Sequence, residues 1–139
     1  MEGPLKRRER PLALLGIALL GAGAVLVARS HGPKRDFVLA GFCRTPIRVL
    51  EPPSGPPAGS AVVFHGLSAN RRLMQTTGQW LAALGLRVYL VDFPGHGDSA
   101  ERFSYALAEQ CAASVLDSLI QRREIVPERT VAAHCSART

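Results

Sequence analysis

Three short apolar runs, separated by two amphipathic helical patterns, constrain the fold of this chain more than any other feature. The runs are residues 61–64, 87–93 (RVYLVDF) and 130–133. Apolar runs without polar alternation are typical of parallel strands buried on both faces of a sheet. The order strand, helix, strand, helix, strand therefore predicts an α/β domain with a mostly parallel sheet and right-handed crossovers.

The two helical patterns are residues 71–84 and 104–123. In the first pattern, the apolar side chains share one face, which predicts that Trp80 belongs to the core. The residues of that face are Leu73, Met74, Thr77, Trp80, Leu81 and Leu84. In the second pattern, the inward face is formed by Leu107, Cys111, Val115 and Leu119. Each helix is therefore expected to pack one apolar face on the sheet.

Two weaker strand signals precede this core. Residues 37–40 and 47–50 predict short strands that form an edge hairpin. The next segment, EPPSGPPAGS at 51–60, is rich in proline and glycine, and it is therefore expected to form a surface loop.

The N-terminal region contains an uncharged apolar stretch, residues 11–28. A helix of this length spans about 27 Å, enough to cross a bilayer, so we predict a single-pass transmembrane anchor. A cleaved signal peptide is the alternative, because Ala22-Gly23-Ala24 offers a small-residue cleavage pattern. The basic N-terminal flank favours an extracytoplasmic domain, which would be secreted if cleavage occurred.

The domain organisation follows from this placement. Residues 1–10 are a basic flank, 11–28 the anchor or signal peptide, 29–36 a linker, and 37–139 a partial α/β domain. Most of the net charge of +6 flanks the apolar stretch, and the rest of the chain is nearly balanced. We therefore expect the membrane as a partner through residues 11–28, and no nucleic acid.

The cysteines give no sign of a metal centre. Cys43, Cys111 and Cys135 form an odd set without CxxC or zinc-ligand spacing. This pattern predicts neither a disulfide framework nor a zinc site. We expect no metal and no cofactor.

Two motifs follow the first two core strands, at the edge where ligands bind in parallel α/β sheets. The first is HGLSAN at 65–70, and the second is DFPGHGDS at 92–99. Neither motif has the glycine and lysine spacing of a phosphate-binding loop, which argues against nucleotide binding.

The two motifs together resemble those of the α/β-hydrolase family, in its esterase, lipase-like and serine-aminopeptidase-like members. The resemblance covers residues 37–133 and implies hydrolysis of an ester, thioester or amide of a small molecule. It also implies that the backbone N–H of Leu67 is an oxyanion-hole donor, with Gly66 and His65 shaping the turn. The second loop would form a wall of the site through Gly95, His96 and Gly97.

The same resemblance predicts a nucleophile elbow after the third strand, where the sequence reads AHCSART. Either Cys135 or Ser136 would occupy the nucleophile position, and the flanking residues fit imperfectly in both cases. In the family the catalytic acid and histidine follow later, so the chain is expected to be an N-terminal half, truncated at the elbow and inactive. The alternatives are a non-catalytic membrane-tethered binding module and an inert truncation product.

Overall fold

A computed structural model of the protein describes the backbone of residues 6–29 and 31–134 and the side chains of 14–25 and 31–134. The chain divides into two units, the first ending at His31 and the second beginning at Gly32.

The first unit contains one helix, α1 (Lys6–Arg29), which includes the apolar stretch. Its described large apolar side chains are all exposed, from Leu14 to Val25. None of the helices in the described part of the chain combines the length and the hydropathy that crossing a bilayer requires. The anchor at 11–28 therefore remains a prediction.

The second unit is built on a five-stranded sheet of order β1-β2-β4-β3-β5. The elements are β1 (Lys34–Leu39), β2 (Thr45–Leu50), β3 (Gly59–Phe64), α2 (Gln75–Ala83), β4 (Leu86–Val91), α3 (Tyr105–Gln121), a short 3-10 helix (Pro127–Arg129) and β5 (Thr130–His134). The order of strands and helices in the core is as predicted from the sequence. The first strand begins at Lys34, inside the segment assigned to the linker.

The sheet was predicted to be mostly parallel, but it is mixed, with antiparallel and parallel pairings equally represented among the described strands. The predicted hairpin is present, and β2 continues the antiparallel pairing onto β4. By contrast, β3 runs parallel to both β4 and β5. In the register of these three strands, Phe64 lies opposite both Val91 and His134. Their carboxyl ends therefore form one edge, and the segments that follow them meet there.

Each face of the sheet packs on one helix. On one face, α3 contributes Val115 and Leu119 to a buried cluster that contains Tyr89. On the other face, α2 contributes Ala82 to a cluster that contains Leu90. The side chain of Ser104 accepts a hydrogen bond from the Leu107 N–H (3.1 Å) and so fixes the start of α3. This start lies beside the edge formed by the carboxyl ends.

The prediction that Trp80 belongs to the core is wrong, because its side chain is 65% exposed. The buried face of α2 holds small residues instead, Gly78 and Ala82. A Cβ at position 78 would lie 2.8 Å from the Leu50 Cδ1. The helix therefore approaches the sheet through its smallest side chains, and the larger Leu73, Trp80 and Leu84 face away.

The expectation that the cysteines form no disulfide is also wrong. Cys43, in the loop between β1 and β2, is bonded to Cys111 of α3, and both residues are buried. The two cysteines are 68 residues apart in the sequence, so no local spacing signalled the pair. The bond fixes α3 to the hairpin.

Candidate active site

The turn after β3 is held by His65, whose side chain is fully buried. The His65 Nδ1–H donates to the Gly66 carbonyl (2.9 Å), and the Nε2 accepts from the backbone N–H of Phe93 (3.0 Å). The ring is therefore neutral and joins the turn to the end of β4. Burial lowers the pKa of His65, consistent with this neutral form. Because both ring nitrogens are engaged, His65 positions the turn and has no free nitrogen to accept a proton.

Leu67 lies at the apex of this turn, and its side chain is exposed. The Ala69 N–H donates to the Gly66 carbonyl (3.2 Å), and Ser68 has a φ of 65°, in the left-handed region. Such a backbone conformation is costly for a residue with a side chain, and residues held in it are enriched at functional sites. No described residue accepts a hydrogen bond from the Leu67 N–H. The turn thus presents a backbone donor that is free to bind a ligand.

A buried ion pair joins the turn to the loop after β4. The Asp92 carboxylate, 1% exposed, accepts hydrogen bonds from the Arg71 backbone N–H (2.7 Å), the Arg71 guanidinium group and the Asp98 N–H (3.1 Å). Arg71 also contacts the Asp98 carboxylate (2.6 Å). This pairing lowers the pKa of Asp98. Asp98 is therefore held by arginines and does not orient a histidine.

The loop after β4 needs glycine at two positions. Gly95 has a φ of 73°, and a Cβ there would lie 2.7 Å from the Phe103 Cβ. Gly97 has a φ of 57°, and a Cβ there would collide with the Asp92 carboxylate. Only glycine tolerates both the left-handed conformation and the close approach. These residues place His96 between the rings of His65 and Phe103, with centroids 5.2 and 5.3 Å away.

A cavity of about 440 Å³ opens at this edge of the sheet. Most of its wall is apolar and consists of Leu67, Phe93, Phe103, Tyr105, Ala108 and Ala112. The wall also includes the backbone at Gly66, the buried His65, and three further polar residues, His96, Glu109 and His134. The turn, the loop after β4, the start of α3 and the end of β5 thus enclose one site.

The two candidate nucleophiles, Cys135 and Ser136, lie outside the described residues. His134, the last residue of β5, lines the cavity and is the last described residue before them. The structure therefore brings together the predicted turn and the predicted wall, and the roles assigned to their residues stay predictions. Within residues 31–134, no group of three or more His, Cys, Asp or Glu side chains is arranged to hold a metal ion.

Sequence reasoning missed two parts of this site. One is the Arg71–Asp92 pair, although a carboxylate at the end of an apolar strand signals a buried cationic partner. The other is the wall formed by α3, where Ala108 and Ala112 are one helical turn apart. Their spacing places both small side chains on one face, which is the available signal.

Comparison with protein families gives one match. The model described as "Alpha/beta hydrolase family" matches residues 61–137, more than half of the chain. Among curated proteins, none is similar enough in sequence to match.

Several solved structures share the fold. An alpha-beta serine hydrolase homologue from Coxiella burnetii superposes with a TM-score of 0.60 at 20% identity, covering 73% of this chain and 51% of that one. A thermophilic esterase from Thermogutta terrifontis, solved with butyrate bound, gives 0.58 at 19% identity, covering 74% and 40%. An esterase from Pyrococcus furiosus gives 0.58 at 15% identity, covering 77% and 44%. The chain spans about half the length of the first of these structures.

Proposed function

The chain belongs to the alpha/beta hydrolase family, and we propose that the protein is a membrane-anchored hydrolase of serine-hydrolase type that cleaves carboxylic esters of small molecules. Thioesters and amides are related substrates, because all three form a tetrahedral intermediate with negative charge on the former carbonyl oxygen. The esterases among the structural neighbours, one of them with bound butyrate, support the ester class.

The observation that carries this proposal is the Leu67 N–H at the apex of a strained turn, beside an apolar cavity. A fixed N–H aimed at a developing oxyanion stabilises the transition state by about 2.7–4 kcal/mol. Here the donor is held on one side by the His65 bonds and on the other by Arg71 and Asp92. It needs no rearrangement when charge develops, which is the requirement for catalysis by a preorganised site.

The nucleophile follows β5 in this proposal and is Cys135 or Ser136. Both residues follow the carboxyl end of β5 in the sequence, and that end is in register with the end of β3, the strand that precedes the Leu67 turn. The backbone N–H after the nucleophile would then be the second oxyanion donor, as in other strand-to-helix elbows.

The test uses the native gene product in its own membranes. A fluorophosphonate probe should label it, and the labelled protein should contain the tryptic peptide of residues 103–122. Pre-incubation with a p-nitrophenyl ester should lower the labelling. Failure of the native product to react, under conditions in which a known serine hydrolase in the same membranes is labelled, would instead favour the non-catalytic binding module.

The proposed location is a membrane, with the α/β domain on the extracytoplasmic side, and secretion is the alternative. The basic flank before residues 11–28 supports this orientation. The Cys43–Cys111 disulfide supports it independently, because disulfides persist in oxidising compartments. Alkaline carbonate washing should leave the chain in the membrane pellet. Release into the supernatant, or a mature N-terminus near Val25, would contradict the anchor.

A further inference from the structure

The wall of the cavity differs sharply in chemistry from one part to another. The residues contributed by α3 and the segment before it are apolar except for the exposed Glu109, with Phe103 and Tyr105 at one side and two alanines beyond. The other polar groups lie near the turn and the strand ends, at the Gly66 backbone, His96 and His134. A ligand that fits both parts has an aliphatic portion and a polar group at one end.

The alanines set how much space this apolar part offers. Ala108 and Ala112 are partly buried and both line the cavity, whereas Cys111 and Val115 of the same helix point into the core. Any larger side chain at 108 or 112 would extend into the cavity. Both positions therefore act on ligand size, and neither contributes a polar contact.

The volume sets the size of the ligand. At about 440 Å³, the cavity is near the lower end of small-molecule sites, which span ~300–1,000 Å³. Liquid water occupies about 30 Å³ per molecule, and a methylene group is similar in size, so the cavity has room for an unbranched chain of up to about fifteen carbons. An acetyl group would leave most of the apolar wall uncovered.

We propose that this cavity binds an unbranched aliphatic acyl chain of up to about fifteen carbons, with Ala108 and Ala112 as the residues that determine chain length. The acyl carbon would lie at the Leu67 N–H and the methyl end against α3. This inference rests on the proposed function in one respect, which is that the polar end of the ligand is an acyl group. The preference for an aliphatic chain follows from the cavity wall alone.

The test is photolabelling of the full 139-residue chain in lipid nanodiscs with octanoic acid that carries a terminal diazirine. Label should be found in the tryptic peptide of residues 103–122, with its maximum at Ala108 and Ala112. Carboxylic acids of increasing length should compete for the site, each added methylene improving competition about fourfold until the cavity is filled. Acetate competing as well as decanoate would overturn the proposal.

Variants at two adjacent residues distinguish labelling by probe bound in the cavity from labelling by probe dissolved in the lipid. Ala112→Phe fills the cavity and should lower labelling about tenfold, because overpacking costs on the order of one factor of ten in affinity. Ala113→Phe adds the same side chain on the exposed side of α3, beside Gly41 and Phe42, and should leave labelling unchanged. Equal labelling of the two variants would contradict the assignment.

A third variant, Phe103→Ala, enlarges the cavity and covers the case in which Ala112→Phe does not fold. It should shift the optimal competitor toward longer chains, whereas an unchanged length profile would contradict the proposal.

The experiments distinguish failure of the acyl-chain proposal from failure of the proposed hydrolase function. If the native product reacts with fluorophosphonate but photolabelling by the diazirine acid is the same in all variants, only the acyl-chain site is wrong. If labelling follows the variants but the native product is unreactive, hydrolysis is wrong and the cavity is a binding site.

Discussion

The guanidinium group of Arg71 lies against the carboxylate of Asp92, and both side chains are almost completely buried. Arg71 follows the turn that presents Leu67, and Asp92 directly follows β4. The ion pair therefore connects the two segments whose relative position defines the candidate site. One nitrogen of Arg71, Nε, has no hydrogen-bond partner among the described residues, so the pair is not fully satisfied.

Replacing Arg71 with alanine should lower the free energy of unfolding by about 3–5 kcal/mol, because the Asp92 carboxylate would remain buried without its partner. Urea unfolding of the full chain in mild detergent measures this loss. The matched control is Arg72→Ala, because the Arg72 side chain is 65% exposed and exposed ion pairs contribute little. Equal losses for the two variants would show that the burial of Arg71 is not important.

The neutral state of His65 predicts a stability change in mild acid. Burial lowers the pKa of His65 in the folded state, so the unfolded chain binds the proton more readily. Stability from this group is complete above the unfolded pKa of about 6.5 and is lost as pH falls through the folded value.

Thermal unfolding of the wild type and of His65→Gln between pH 7.5 and 5 measures this effect. The melting temperature of the wild type should fall more steeply with acidification than that of the variant. His96→Gln is the control, and its profile should follow the wild type. A wild-type profile parallel to that of His65→Gln would contradict the assignment.

The disulfide between Cys43 and Cys111 should stabilise the α/β domain by constraining the unfolded chain. For a loop closed by residues 68 apart, chain entropy predicts about 4 kcal/mol. The double variant Cys43→Ala/Cys111→Ala should lose about this much in urea unfolding. Cys135→Ala is the control and should unfold like the wild type under non-reducing conditions.

The sequence predicted the order of the core elements because apolar runs and helical periodicity are local signals. It also predicted which strand ends would meet, because parallel strands present their carboxyl ends at one edge. It could not predict the Cys43–Cys111 bond or the burial of Arg71, since both depend on segments far apart in the chain. The Arg71 side chain carries no local sign that Asp92 will face it.

The orientation of α2 was mispredicted for a different physical reason. The periodicity of large apolar residues indicated one face, but the contact with the sheet is made where the backbone can approach closely, at Gly78. Small residues are weighted lightly when a face is judged by hydrophobicity. The face that contains Trp80 therefore gave the stronger pattern, although only Met74 and Leu81 of that face pack against the buried cluster on the sheet.

This packing predicts opposite results for two substitutions on α2. Gly78→Val should lower the free energy of unfolding by about 1–3 kcal/mol, because its side chain overlaps Leu50 and Leu90. Trp80→Ala should change it by less than about 0.5 kcal/mol in the 139-residue chain, because the ring is largely exposed. Urea unfolding of both variants is the measurement, and a larger loss for Trp80→Ala would show that its ring is packed.

The last prediction concerns chemistry and separates the geometry of the site from its activity. A nucleophile needs a base within hydrogen-bond reach, and His65 cannot act as one because both its ring nitrogens are already bonded. Asp98 is likewise held by Arg71 and Arg72. Expressed by itself, the 139-residue chain should therefore hydrolyse p-nitrophenyl esters no faster than its Leu67→Pro variant, which lacks the proposed oxyanion donor. It should also not react with a fluorophosphonate probe under conditions in which the native gene product in its own membranes is labelled. Stoichiometric labelling of Ser136, or turnover that Cys135→Ala abolishes, would contradict this prediction. Either result would show that a base reaches the nucleophile within these 139 residues. His96 and His134 of the cavity wall would be the first side chains to test as that base.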